Sequence, residues 1–163
     1  MKKAVFAGTF DPFTVGHLDI VRRAAPLFDE FIVLIAQNDK KKPAFSEALR
    51  AEWILQACPE IRNLKVETSA GLTVDFMQRA GATYLVRGIR SAADLAWEQV
   101  VAYNNKKLYH EAETLLLFSA PEHFSVSSSL VRELLAHGRS PEGFVPAEIL
   151  ESVVLTWRAL CSE

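Results

Sequence analysis

Short apolar runs alternate along this chain with segments that have the spacing of amphipathic helices, and that alternation restricts it to an α/β arrangement. Ala4 to Ala7, Phe31 to Ala36, Leu64 to Val66, Thr83 to Val86 and Thr114 to Phe118 read as strands. Phe31 to Ala36 is apolar throughout, as suits a parallel sheet covered on both faces. The first helix is expected from His17 to Phe28, with Leu18, Val21, Ala25 and Phe28 on one side. Ser46 is a cap for a helix carrying Leu49, Trp53, Ile54 and Ala57. Thr73 to Ala80 is a short helix stopped by Gly81. Helices are also expected from Ala92 to about Leu108 and from Ser128 to His137 before Gly138, with a C-terminal helix carrying Ile149, Leu150, Val153, Val154 and Trp157. The reading is a Rossmann-like open five-stranded parallel sheet with helices on both faces.

Nothing in the composition divides the chain, so residues 1–163 are read as one domain. Eighteen basic residues against 20 acidic ones give a net charge of −2, which argues against a nucleic-acid binder. An anionic small ligand would have to be met by local positive charge. No run reaches transmembrane length, and the apolar start breaks at Gly8-Thr9-Phe10-Asp11-Pro12, too short for a signal peptide. Cys58 and Cys161 have no metal-like or disulfide spacing. A cytoplasmic protein, with neither membrane nor nucleic acid as partner, is expected.

In such a sheet ligands bind beyond the carboxyl ends of the strands. The first strand is followed by Gly8-Thr9-Phe10-Asp11-Pro12-Phe13-Thr14-Val15-Gly16-His17, the second by Lys40-Lys41-Lys42, the fourth by Arg87-Gly88-Ile89-Arg90, and the fifth by a run ending Ser127-Ser128-Ser129. Each suits phosphate. Gly8 and Gly16 permit positive φ or close backbone approach, and His17 is placed at a helix N-terminus, where an anion would sit. Arg87 and Arg90 offer planar forks for phosphate oxygens; the alternative is that they pair with Asp94 or Glu98 of the next helix. One serine is an N-cap, and three exceed what capping needs. His110 and His137 read as surface and helix-end residues, His123 stays ambiguous, and no metal-ligand cluster or nucleophile–base pair stands out.

Together these segments resemble the bacterial phosphopantetheine adenylyltransferases of the nucleotidyltransferase superfamily. The carriers are the loop from Gly8 to His17, Lys41-Lys42-Pro43-x-Phe45, Arg87-Gly88-Ile89-Arg90, and Ser127-Ser128-Ser129-Leu130-Val131-Arg132-Glu133, in order over nearly the whole chain. The resemblance implies transfer of an adenylyl group from ATP, with Mg²⁺, to 4′-phosphopantetheine. The products would be dephospho-CoA and pyrophosphate, and the enzyme a homohexamer of single nucleotidyltransferase domains. It implies that His17, Lys41 and Arg90 act on the reacting phosphates. Thr9, Lys41, Thr73, Arg87 and Asn105 would hold the acceptor. Thr9, Phe10, His17, Gly88, Ile89, Arg90, Glu98, His123, Phe124, Ser125, Val126, Ser127, Ser128 and Ser129 would hold ATP. The chain departs from the family pattern at Ala7, at Leu95-Ala96-Trp97, at Asn104 and in lacking an aromatic at His123. An adenylyl- or cytidylyltransferase for another acceptor, such as nicotinate mononucleotide, could use the first loop and the serine-led helix. A non-catalytic nucleotide-binding regulator is the rival of another class.

Overall fold

The computed structural model describes residues 1–37 and 42–162. Five parallel strands form one sheet in the order β3-β2-β1-β4-β5, with β1 at Lys3–Gly8, β2 at Glu30–Ala36, β3 at Leu64–Ser69, β4 at Tyr84–Ile89 and β5 at Glu113–Phe118. β1 is central, in register from Lys3 opposite Glu30 to Gly8 opposite Ile35. Strand order reverses between β1 and β4, so a crevice opens at the carboxyl ends of these two strands.

The helices are α1 (Val15–Ala24), α2 (Glu47–Ala57), α3 (Thr73–Ala80), α4 (Ala92–Leu108), α5 (Ser128–Ala136) and α6 (Ala147–Leu160). Strand alternation sends Phe6, Phe31, Val33, Ile35 and Val86 into one core, which Val21, Trp53, Val131 and Ile149 of α1, α2, α5 and α6 complete. Val5, Ala7, Ile32, Leu34 and Leu85 meet Val74 and Met77 of α3 on the other face. Gly81 ends α3 in the left-handed conformation, φ 64°, as its position predicts. α4 buries little: Glu98 is its one buried residue, while Trp97, Val100, Tyr103 and Leu108 are exposed.

Two boundaries differ from the sequence reading in ways that matter for the site. The first helix starts at Val15 and ends at Ala24, where Pro26 opens a 3₁₀ turn; it does not run from His17 to Phe28. β4 extends to Ile89, so Arg87, Gly88 and Ile89 belong to the strand and do not follow it. The ladder to β5, with Arg87 opposite Leu116 and Ile89 opposite Phe118, outweighs the polar residue and glycine that had suggested an earlier end. No helix among the described residues is long and apolar enough to cross a membrane.

Candidate active site

The loop leaving β1 folds around its own aromatic residues. Phe10 adopts φ 48° yet is buried, with its ring above Gly8. A Cβ at Gly8 would stand 3.0 Å from that ring, so glycine is needed for close approach, and Phe10 rather than either loop glycine takes the left-handed backbone. Asp11, also buried, accepts the backbone N–H of Ala44 at 2.9 Å and of Phe45 at 3.0 Å, and its carbonyl accepts from Arg132 of α5. Arg50 of α2 donates from Nη1 to the Thr9 carbonyl at 2.6 Å and from Nε to that of Phe45 at 3.0 Å. Helices α2 and α5 and the segment just before α2 are thereby tied to one loop.

Thr14 caps α1 in a reciprocal arrangement with the third helical residue, His17. The Thr14 hydroxyl accepts the His17 N–H at 3.3 Å, and the Thr14 N–H is donated to His17 Nδ1 at 3.1 Å. A backbone N–H can only donate, so Nδ1 is unprotonated and a neutral ring carries its proton on Nε2. The ring lies against Phe10 and Phe13 at centroid distances of 5.0 and 5.5 Å. Burial, and secondarily the charge of Arg90, lowers its pKa from 6.5 to about 4. His17 is thus a neutral donor at pH 7. In an NMR titration its imidazole is expected to stay neutral through pH 5.5; a midpoint near 6.5 would contradict this environment. Only the unfolded chain takes up that proton between 6.5 and about 4, so the native state loses stability as pH falls through that window.

At the start of α5, Ser127 is the N-cap, its hydroxyl accepting the Leu130 N–H at 3.1 Å. The Ser128 hydroxyl donates to the Pro12 carbonyl at 2.8 Å, and that of Ser129 accepts from Arg132 at 3.4 Å. Ser128 thus ties the helix to the first loop, whereas the Ser129 contact stays within α5. The first-turn N–H groups of Ser128 and Ser129 find no acceptor among the described residues and remain available to an anion. Arg90 donates its Nη1 to the Val126 carbonyl at 3.3 Å and lies 3.6 Å from Asp94. Arg87 forms a fork with Glu98: Nε to Oε2 at 2.9 Å and Nη2 to Oε1 at 2.7 Å. Both pairings with the following helix therefore form, and both arginines still reach the crevice.

Two adjoining clefts occupy the crevice, of about 940 and 630 Å³. That is room for two ligands of moderate size. Phe10, His17, Gly88, Arg90, His123, Val126, Ser127, Ser128 and Ser129 line the larger one; Thr73 and Asn105 line the smaller; Thr9 and Arg87 line both. Ile89 and Glu98 are buried and line neither, and Phe124 and Ser125 are exposed outside both. Lys41 lies outside the described residues, while the adjacent Lys42 lines the larger cleft. Sequence reasoning missed Arg50 and Arg132. Arg132 stood inside the quoted serine motif without a role, and Arg50 looked like one more polar residue on a helix face.

The cleft wall is cationic. Among the described residues no three or more His, Cys, Asp or Glu side chains stand together as ligands for a metal ion. Asp11, the acidic group of the loop, has both oxygens committed to backbone N–H groups. This donor set suits phosphate and does not form a protein cage for a divalent cation.

Comparison with known proteins agrees with this geometry. The cytidylyltransferase-like family model matches residues 5–134. The phosphopantetheine adenylyltransferase of Bdellovibrio bacteriovorus is 42% identical over 152 residues, covering 93% of this chain and 95% of that protein. That of Rubrobacter xylanophilus is 44% identical, covering 94% and 93%. A crystal structure from Vibrio parahaemolyticus, provisionally named a nicotinate-nucleotide adenylyltransferase, superposes with a TM-score of 0.70 at 15% identity, covering 97% of this chain and 96% of that one. At that identity the likeness is one of fold.

Proposed function

From the premise that this chain belongs to the phosphopantetheine adenylyltransferase family, we propose how its two clefts divide the work of that reaction. The chain is a nucleotidyltransferase that transfers the adenylyl group of ATP to 4′-phosphopantetheine, giving dephospho-CoA and pyrophosphate, a step of coenzyme A biosynthesis. We read residues 1–163 as one such domain. ATP takes the larger cleft, with its phosphates on Arg90 and the start of α5; the acceptor takes the smaller one, with Thr73 and Asn105. The observation that carries this division is that Thr9 and Arg87 line both clefts at their junction, where the two phosphates must meet.

The acceptor phosphate has a second pKa near ~6 and is largely a dianion at neutral pH. It attacks the α-phosphorus without help from a general base, and the protein's part is to align two anions and steady the charge that develops. His17 donates from Nε2 toward the oxygen that gains charge as the α–β bond breaks. Lys41, Lys42 and Arg90 lower the cost of assembling the anions, and Arg132 reinforces the start of α5. His123, Phe124 and Ser125 flank the nucleotide end. Mg²⁺, when bound with ATP, would offset the charge of its phosphates beside Arg90 and the start of α5. A cytoplasmic homohexamer is our reading of the assembled enzyme, and the exposed Trp97, Val100 and Tyr103 of α4 support burial against another copy.

Incubation of the protein with ATP, Mg²⁺ and 4′-phosphopantetheine is expected to yield dephospho-CoA by mass, and excess chelator to suppress it. Absence of the product would overturn the assignment. Arg90→Ala is expected to weaken ATP binding by roughly 10-fold or more, as loss of a charged hydrogen-bonding partner does, whereas Arg87→Ala should act on the acceptor. Equal effects of the two changes on both substrates would contradict the division of the clefts.

A further inference from the structure

Glu98 is buried yet touches neither cleft, and both its carboxylate oxygens are on Arg87. Arg87 in turn also donates Nη1 to the Ala7 carbonyl at 2.7 Å. A guanidinium has five N–H groups, so these contacts leave one on each Nη. Those two are available at the junction of the clefts, where Arg87 is partly exposed. Strand alternation explains the arrangement. Gly88 faces Ile20 of α1, so Arg87 stands on the opposite face with Leu85, under α4, which carries Glu98. A carboxylate in this place can do one of two things. It can contact the nucleotide, which requires abandoning Arg87, or it can hold the plane of the arginine that meets the acceptor.

We propose that Glu98 is a positioning residue for the acceptor phosphate: its fork with Arg87 and the Ala7 carbonyl set the guanidinium plane, leaving the two remaining Nη–H groups for phosphopantetheine. The proposal rests on the acceptor reading above. It separates geometry from charge, because the two predict opposite signs. Removing a negative charge beside an anion site should by itself tighten phosphate binding. Losing a fixed fork should loosen it, since planar bidentate recognition depends on orientation.

The test is calorimetric binding of ATP and of 4′-phosphopantetheine to wild type, Glu98→Gln, Arg87→Ala and the double variant, with steady-state constants alongside. Glu98→Gln is expected to weaken phosphopantetheine binding about 10-fold while leaving ATP binding within about twofold, and to add nothing in the Arg87→Ala background, because the two residues act as one unit. Weakened ATP binding with normal acceptor binding would make Glu98 a nucleotide contact and overturn the proposal. Tighter acceptor binding would overturn it in favour of a purely electrostatic role. Unchanged affinities with a lower melting temperature would make the pair merely structural. Should Glu98→Gln fail to fold, Glu98→Asp keeps the charge but withdraws it from the fork, and the same selective loss is expected. Wild-type protein that binds no phosphopantetheine would refute both this inference and the reading on which it rests; wild-type binding with an unaffected variant would refute this inference alone.

Discussion

His17→Ala is expected to lower turnover by ~10²–10³, the usual cost of removing one preorganised donor to a developing negative charge. ATP affinity should change little, and loss of the partner of the Thr14 N–H should lower the melting temperature by only a few degrees, too little to account for the fall in turnover. The geometry favours the transition state over the ground state for a specific reason. The Thr14 N–H fixes Nδ1 as an acceptor, so the proton sits on Nε2, and a pKa near 4 keeps the ring neutral at working pH. A neutral donor attracts bound ATP less than a cation would, and its hydrogen bond strengthens as charge moves onto the bridging oxygen. His110→Ala and His137→Ala are controls: His110 is exposed and His137 is the cap residue at the end of α5, so turnover should hold in both. Near-normal turnover in His17→Ala, or a loss that merely follows a fall in stability, would remove His17 from the reaction.

Asp11→Ala is expected to lower stability by about 2–4 kcal/mol, because the N–H groups of Ala44 and Phe45 lose a charged acceptor, while Arg132 loses the carboxylate but keeps the Asp11 carbonyl. Most of that should come from the Ala44 and Phe45 N–H groups, at 2.9 and 3.0 Å. The ion pair with Arg132 contributes less, since that side chain is 32% exposed and the separation is 3.5 Å. For a chain of this length such a loss corresponds to a melting temperature lower by about 10 °C. Asp11→Asn keeps one acceptor and should fall between. An unchanged melting temperature in Asp11→Ala would show that the loop is held by other contacts.

The sheet and its ligand edge were legible because strands and helices here follow hydrophobic periodicity, and because a parallel sheet collects its loops at one end. The serine run also read correctly as a cap with something added. What it adds became clear only in three dimensions: the Ser128 hydroxyl reaches Pro12, far away in the chain, so the anion seat proposed above rests on the backbone N–H groups of Ser128 and Ser129. The early start of α1 was missed because Thr14 and His17 form a capping pair with histidine in the place usually taken by Glu or Gln. Arg87 could not be assigned from spacing, since contact with Glu98 and exposure to the cleft are both true of it. Arg50 left no signal in its spacing that pointed to the first loop. One partner, the Phe45 carbonyl, lies just before α2, and the one that ties it to the site, the Thr9 carbonyl, is remote in the chain and reaches it only in the folded structure.

The identity of the acceptor phosphate decides most of the chemistry assigned to this crevice. The direct measurement is competition: equal concentrations of 4′-phosphopantetheine and nicotinate mononucleotide, with ATP and Mg²⁺, and both products quantified over the first few turnovers. The ratio of products gives the ratio of kcat/KM values. Dephospho-CoA is expected to be the dominant product, with pyrophosphate released in equal amount. Preferential adenylylation of nicotinate mononucleotide, or pyrophosphate release with no dephospho-CoA formed, would contradict phosphopantetheine as the acceptor.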